Sequence, residues 1–112
     1  MNAEQVARND ATYRAANERI KSAAEEYEAT GPIPFICECA DPECRDVLLL
    51  TMSEYEEIRA NPRHFLNLPG HDELAREHVE TVRAAPGYIV VEKIGRAGEV
   101  VEELDPRQAQ HG

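Results

Sequence analysis

The chain has 112 residues, which suits a single domain, but it contains no Trp, only two Phe and four Tyr. With so few large aromatic side chains, the chain can bury little apolar surface in a conventional core. A cross-link such as a disulfide or a bound metal ion would therefore add to its stability. The formal net charge of −10 opposes binding to nucleic acid and to anionic lipid, because both surfaces attract clustered Lys and Arg.

The sequence also lacks the patterns of membrane and secretory segments. No apolar run approaches the roughly 20 residues of a membrane span. Residues 1–10 are polar and contain no apolar stretch of the kind found in signal peptides. We therefore expect a cytoplasmic protein.

The N-terminal segment, residues 1–30, is predicted to be one long helix. Residues 3–29 are rich in Ala, Glu, Arg and Lys and contain no Gly or Pro. Apolar side chains recur at intervals of seven, at Val6, Tyr13, Ile20 and Tyr27. This stripe favours packing against the chain's own core. The same helix is the candidate surface for a protein partner or for a homodimer.

Residues 31–104 are predicted to form a small α+β core with short antiparallel strands and two further helices. Apolar runs predict strands at residues 35–37, 47–50 and 88–94. Thr51 and Glu54 fit a capping box, which opens a helix that ends before Pro62.

The rest of the core is predicted from weaker patterns. Asp72 is a candidate cap for a second helix that runs to about Ala84, with an inner side formed by Leu74, Ala75, Val79 and Val82. Residues 95–98 contain two glycines and predict a hairpin loop that returns through a strand at 99–104. Residues 105–112 are expected to form a flexible tail.

The strongest chemical signal is the pattern Cys37-x-Cys39-x4-Cys44. In a cytoplasmic protein, clustered cysteines indicate metal ligation or redox chemistry more than a structural disulfide. Zinc prefers thiolate and imidazole ligands in a tetrahedron. Three thiolates in one bend can occupy three corners, so the pattern predicts Zn²⁺ with a fourth ligand from elsewhere. The alternative is three ordinary cysteines.

Four histidines are candidates for the fourth corner. His71 ranks first, because it follows the tight turn at Pro69-Gly70, which can hold an imidazole rigidly. His64 ranks second and His78 third, and His111 lies in the predicted tail. The favoured interpretation is a structural Cys3His zinc site in a protein-interaction or regulatory module.

Two other functions fit the same residues less well. A zinc-thiolate redox sensor is the first alternative, but the acids around the cysteines favour a bound cation over a reactive thiol; they are Glu38, Asp41, Glu43 and Asp46. A zinc enzyme is the second. His71 and Glu73 spell the H-x-E of zinc deaminases, but there the paired cysteines follow that motif, whereas here they precede it.

Several short motifs occur in the order and spacing of a family of small uncharacterised proteins common in actinobacteria. They are the stretches 35–44 (FICECADPEC), 50–59 (LTMSEYEEIR), Asn61-Pro62, Phe65 and Pro69-Gly-His71, within a match that covers residues 14–94. In this resemblance the recurring residues are Cys37, Cys39, Cys44 and His71. The resemblance implies a ligand set but no activity. One departure is the stretch 72–76, where such proteins often show an acid followed by a Pro-containing stretch.

Overall fold

The computed structural model describes residues 1–107 and begins with a long helix, α1, at Ala3–Glu26. A capping box between Asn2 and Gln5 starts it, with each side chain bonded to the other residue's backbone N–H. Its buried side includes Val6 and Tyr13, whereas Tyr27 just beyond its end is 80% exposed. Most of the predicted stripe therefore packs on the chain's own core.

A small hairpin follows, in which β1 (Ile33–Ile36) pairs antiparallel with β2 (Val47–Leu50). The segment that joins these strands carries all three cysteines. Helix α2, at Met52–Arg59, starts with the predicted capping box between Thr51 and Glu54. These elements confirm the strands and the helix that the sequence predicted in this region.

The second sheet has three antiparallel strands: β3 (His64–Asn67), β4 (Val79–Ala85) and β5 (Tyr88–Lys93), with β5 in the centre. The helix predicted from Asp72 to Ala84 was wrong. Only a short 3-10 helix forms there, at Glu73–His78, before the chain extends into β4. Central strand β5 needs a hydrogen-bonding partner on each side, and this pairing overrides the helical spacing of the apolar residues.

Helix α3, at Gly95–Glu103, replaces the predicted hairpin loop and returning strand. Gly98 lies inside this helix, where a Cβ would come within 2.7 Å of the Arg63 side chain and of the Lys93 carbonyl oxygen. The glycine that suggested a turn therefore permits close packing of α3 on the sheet. The strand predicted at residues 99–104 was wrong, because the glycines that suggested a hairpin loop belong to α3.

The chain after α3 is tied to the rest of the molecule as far as Arg107. Asp105 forms an ion pair with Arg59, and Arg107 forms ion pairs with Glu18 and Glu56. The remainder of the predicted flexible tail, residues 108–112 with His111, lies outside the described residues.

Two clusters of buried apolar side chains hold these elements together, and the α+β class predicted from the sequence is confirmed. The first joins α1, the hairpin and α2, and it contains the three cysteines and a stacked pair of rings, Phe35 and Tyr55, with centroids 4.2 Å apart. The second joins α1, α3 and the three-stranded sheet around Phe65. Within residues 1–107, none of the helices has both the length and the apolar character that crossing a bilayer requires.

Candidate metal centre

Four predicted ligands meet at one end of the hairpin. Cys37 directly follows β1, Cys39 and Cys44 lie in the segment before β2, and His71 comes from the turn after β3. One ligand atom from each of these four residues lies within 4.8 Å of each of the others. The structure therefore brings Cys37, Cys39, Cys44 and His71 into a single group that could bind a metal ion.

The distances within this group suit a small tetrahedral site. Nδ1 of His71 lies 3.6 Å from Sγ of Cys37 and 3.7 Å from Sγ of Cys44. Bond lengths of about 2.3 Å for Zn–S and 2.0–2.1 Å for Zn–N place sulfur and nitrogen roughly 3.5–3.6 Å apart in an ideal tetrahedron. These two sulfur–nitrogen distances thus already match the edge length that such an ion requires.

The short Cys-x-Cys spacing has a structural cause in the residue between the two cysteines. Glu38 is fully buried and points to the core, where its carboxylate accepts hydrogen bonds from Arg14, Asn17 and the backbone N–H of Leu66. Because side chains alternate along an extended chain, Cys37 and Cys39 face the opposite side together. Glu38, which in the sequence belongs to the acids around the cysteines, is paired with Arg14 on the core side.

Arg14 and Asn17 support the segment with the cysteines from the core side, and neither was predicted from the sequence. Arg14 is 2% exposed and forms an ion pair with Glu38, while Asn17 exchanges hydrogen bonds with the backbone of Ile36. A buried acid of this kind needs such partners, because an unpaired charge in the interior is costly. The only signal for such partners in the sequence was Glu38 itself, an acid placed between the two ligands Cys37 and Cys39.

Backbone N–H groups support the sulfur atoms. The N–H of Leu68 donates to Sγ of Cys37 across 3.3 Å, which links the turn after β3 to the first cysteine. Backbone hydrogen bonds from Asp41 and Asp46 likewise favour the thiolate forms of Cys39 and Cys44, although burial is the larger effect on Cys44 and leaves its pKa raised. Donors aimed at sulfur stabilise thiolates, which are the form that binds metal.

Without a cation, the three thiols cannot all ionise. A hydrogen bond from Cys37 is the largest effect on Cys39, and it lowers the pKa of that thiol to about 5 although burial opposes this. The same hydrogen bond and burial raise the pKa of Cys37, and burial raises that of Cys44. The hydrogen-bonded pair of Cys37 and Cys39 thus holds one negative charge. A divalent cation would allow the other two thiols to lose their protons as well.

His71 is positioned by a carboxylate on its outer side. Its Nε2 lies 3.6 Å from Oδ2 of Asp46, while Nδ1 faces the sulfur atoms. An acid next to the outer nitrogen of a ligating histidine orients the ring and makes the inner nitrogen a better donor. The His71 side chain is 33% exposed, so the site reaches the surface at this corner.

The loop between Cys39 and Cys44 is also held by α1. The Tyr13 hydroxyl lies 2.8 Å from the carbonyl oxygen of Asp41 and 2.7 Å from that of Cys44, and Asn9 donates to the carbonyl of Ala40. The long helix therefore contacts the ligand loop directly through its polar side chains. Any metal bound there would be connected to α1 as well as to both sheets.

The other candidate ligands lie elsewhere. Nε2 of His64 pairs with Glu92 across 3.0 Å, and His78 ends the short 3-10 helix. Glu73, the acid of the H-x-E pattern, is exposed and pairs with Arg76. Among the described residues, neither of these histidines joins the group of possible ligands.

Comparison with protein-family models, curated proteins and solved structures gives no match to this chain. The resemblance to a family of small actinobacterial proteins therefore stays a prediction. The function has to be argued from the chemistry of the site.

Proposed function

We propose that this protein is a small zinc protein whose Cys3His site is structural. The observation that carries the proposal is the group of three sulfur atoms and one imidazole nitrogen within 4.8 Å of one another. Thiolate and imidazole donors in a tetrahedron favour Zn²⁺, whereas Mg²⁺ and Ca²⁺ prefer oxygen ligands.

The site joins parts of the chain that are distant in sequence. Zinc would hold the segment 37–44 against the turn that carries His71, and Tyr13 extends this connection to α1. Structural zinc supplies roughly 10–16 kcal/mol of apparent binding free energy in small peptides. This exceeds what a chain with two Phe and no Trp gains from any single apolar contact.

A structural role fits better than either alternative. Four protein donors fill a tetrahedron, whereas a catalytic zinc keeps one position for water or substrate. Redox-sensing cysteines are accessible to solvent, but Cys37, Cys39 and Cys44 are 0%, 1% and 7% exposed. The burial of the thiols argues against rapid oxidation.

We further propose that the zinc-bound hairpin presents a surface for a protein partner. Val47 and Leu49 on β2 are 55% and 67% exposed, and they lie opposite Ile36 and Pro34 on β1. These four side chains form one apolar face of the hairpin. Such a face is a better candidate than α1, whose residues Val6 and Tyr13 are buried in the core.

Metal content of protein purified without added chelator tests the zinc proposal. We expect one zinc per chain in the wild type and in the matched controls His64→Ala and His78→Ala. Loss of a residue that only hydrogen-bonds to a metal ligand typically weakens metal binding by roughly 10–100-fold. We expect His71→Ala, which removes a ligand itself, to weaken zinc binding by more than this. A wild type without stoichiometric metal, or a His71→Ala variant with unchanged affinity, would refute the proposal.

The partner surface is tested separately. A Val47→Ser/Leu49→Ser variant is compared with Leu74→Ser/Val82→Ser, a matched control that also removes two exposed apolar side chains, 54% and 46% exposed. Only the first variant should lose a protein that the immobilised wild type retains. Equal retention by both variants would show that the hairpin face is not the binding surface.

A further inference from the structure

Far from the metal centre, an amine and a carboxyl group meet in the interior. Nζ of Lys93, at the end of β5, contacts Oδ2 of Asp10, in the middle of α1. The two side chains are 1% and 0% exposed. No function described so far uses either residue.

The contact differs from an ordinary buried ion pair. Among the described residues, neither oxygen of the Asp10 carboxyl group accepts a hydrogen bond, although the amine lies against it. Buried carboxylates that are kept as ions are normally satisfied by several donors, as Glu38 is in this protein. The Asp10 carboxyl group is therefore in contact with an amine but lacks the several donors that hold Glu38 as an ion.

The surroundings favour the uncharged form of the amine. Lys93 faces the ring of Phe65, with Nζ 5.3 Å from the ring centroid, and the neighbouring part of α1 contributes Val6 and Ala7, both 0% exposed. Burial lowers the pKa of Lys93 to about 7. A proton transfer from the ammonium to the carboxylate then gives a free amine beside a carboxylic acid, and a desolvated amine is a strong nucleophile.

The two groups are also fixed in position. The backbone N–H of Lys93 donates to the carbonyl of Arg63 across 2.8 Å, and Asp10 lies within the 24 residues of α1. Two reacting groups held in contact by rigid elements react as if at very high concentration.

We propose that Lys93 and Asp10 condense into an intramolecular isopeptide bond that joins α1 to β5. The neutral Nζ attacks Cγ of the protonated carboxyl group and forms the C–N bond. A proton moves from nitrogen to the hydroxyl group, the C–O bond breaks and water leaves. Overall, one ammonium and one carboxylate become one amide and one water, so the net charge of the chain does not change and no other reactant takes part.

The intact mass of folded, metal-loaded protein after denaturation tests the proposal. We expect a mass lower than the sequence mass by one water. Trypsin digestion should then give residues 9–14 joined to residues 84–96, because the amidated Lys93 is no longer cleaved. A wild-type mass equal to the sequence mass, or separate peptides cleaved at Lys93, would overturn the proposal.

Matched variants separate this bond from other losses of water. The chain has two lysines; Lys21→Arg should keep the cross-link and Lys93→Arg should show its full sequence mass. A cyclised aspartate would also lose water, but it would persist in Lys93→Arg, and that result would contradict the proposal. Asp10→Asn can form the same amide by losing ammonia, so it should reach the cross-linked mass of the wild type. Metal content of the same samples reports on the zinc proposal independently.

Discussion

Two regions of this molecule are held together by different chemistry. The metal region comprises the hairpin, the ligand loop and the turn at His71, and three of its four ligands lie within eight residues, Cys37 to Cys44. The ion-pair region joins α1, α2 and the segment after α3, and its pairs connect residues far apart in the chain. Arg59 with Asp105 and Arg107 with Glu18 are separated by 46 and 89 positions.

The difference explains which parts of the structure the sequence reveals. A local pattern such as Cys-x-Cys followed by a third cysteine is visible in a short window, because metal chemistry restricts both residue type and spacing. An ion pair between distant residues leaves no such pattern, because Arg and Asp are common on any surface. The two regions should therefore lose stability in response to different changes: the metal region to loss of a ligand or of the metal, and the ion-pair region to a change in pH.

The largest effect is expected from removing one ligand. Cys39→Ser should unfold the metal region, because it removes one of the three sulfur ligands and weakens the link between the hairpin and His71. A loss of several kcal/mol corresponds to a fall in Tm of more than about 15 °C for a domain of this size. Thermal unfolding by circular dichroism measures it. Addition of a strong chelator to the wild type should produce a similar fall, and an unchanged Tm after complete metal removal would contradict the account.

The next largest effect tests the buried pair beneath the metal loop. Glu38→Ala leaves the guanidinium of Arg14 buried without its partner, so we expect a loss of about 3–5 kcal/mol in the free energy of unfolding. The matched control Glu43→Ala removes an exposed acid from the same loop and should stay within about 0.5 kcal/mol of the wild type. Urea denaturation measures both. Equal effects would mean that Glu38 does not support the cysteines from the core side.

A smaller, pH-dependent effect is expected in the ion-pair region. Burial opposes the ionisation of Glu18, but hydrogen bonds from Arg107 and Tyr55 and the charge of Arg59 outweigh it and lower its pKa from 4.5 to about 2. An acid whose pKa is lowered by folding contributes stability that is complete above its unfolded pKa and is lost as the pH falls towards its folded pKa.

Glu18→Gln should therefore be less stable than the wild type at neutral pH, and the difference should shrink as the pH falls below 4.5. Denaturant unfolding of both proteins with zinc in excess measures this difference at each pH. A constant difference would mean that the charge of Glu18 contributes nothing.

The smallest expected effect concerns the start of α2, between the two regions. Thr51→Ala removes the side-chain oxygen that accepts from the N–H of Glu54, which costs about 1 kcal/mol for a typical helix cap. Ser53→Ala, an exposed position in the first turn of the same helix, is the matched control and should change the stability by less than about 0.5 kcal/mol. If both changes cost the same, the capping box is not a source of stability.

The elements that the sequence predicted well share a local cause. The capping box of α2, the strand at 88–93 and the bend with the cysteines all follow from residues within a few positions of one another. The choice of His71 over His64 and His78 also had a local basis, the turn at Pro69-Gly70.

The elements that the sequence did not predict depend on distant neighbours. β4 pairs with β5 as its second partner, and position 98 is a glycine because the Lys93 carbonyl and the Arg63 side chain leave no room for a Cβ there. The network of Arg14, Asn17 and Glu38 joins α1 to the loop with the cysteines across more than 20 positions. Such long-range packing overrides local propensity and leaves no trace in a short window.

X-ray absorption at the zinc edge of purified wild-type protein tests the central claim most directly. The account predicts three sulfur neighbours at about 2.3 Å and one nitrogen at about 2.0–2.1 Å, with the nitrogen signal lost in His71→Ala. A first shell dominated by oxygen, or one with fewer than three sulfur atoms, would contradict the structural Cys3His site.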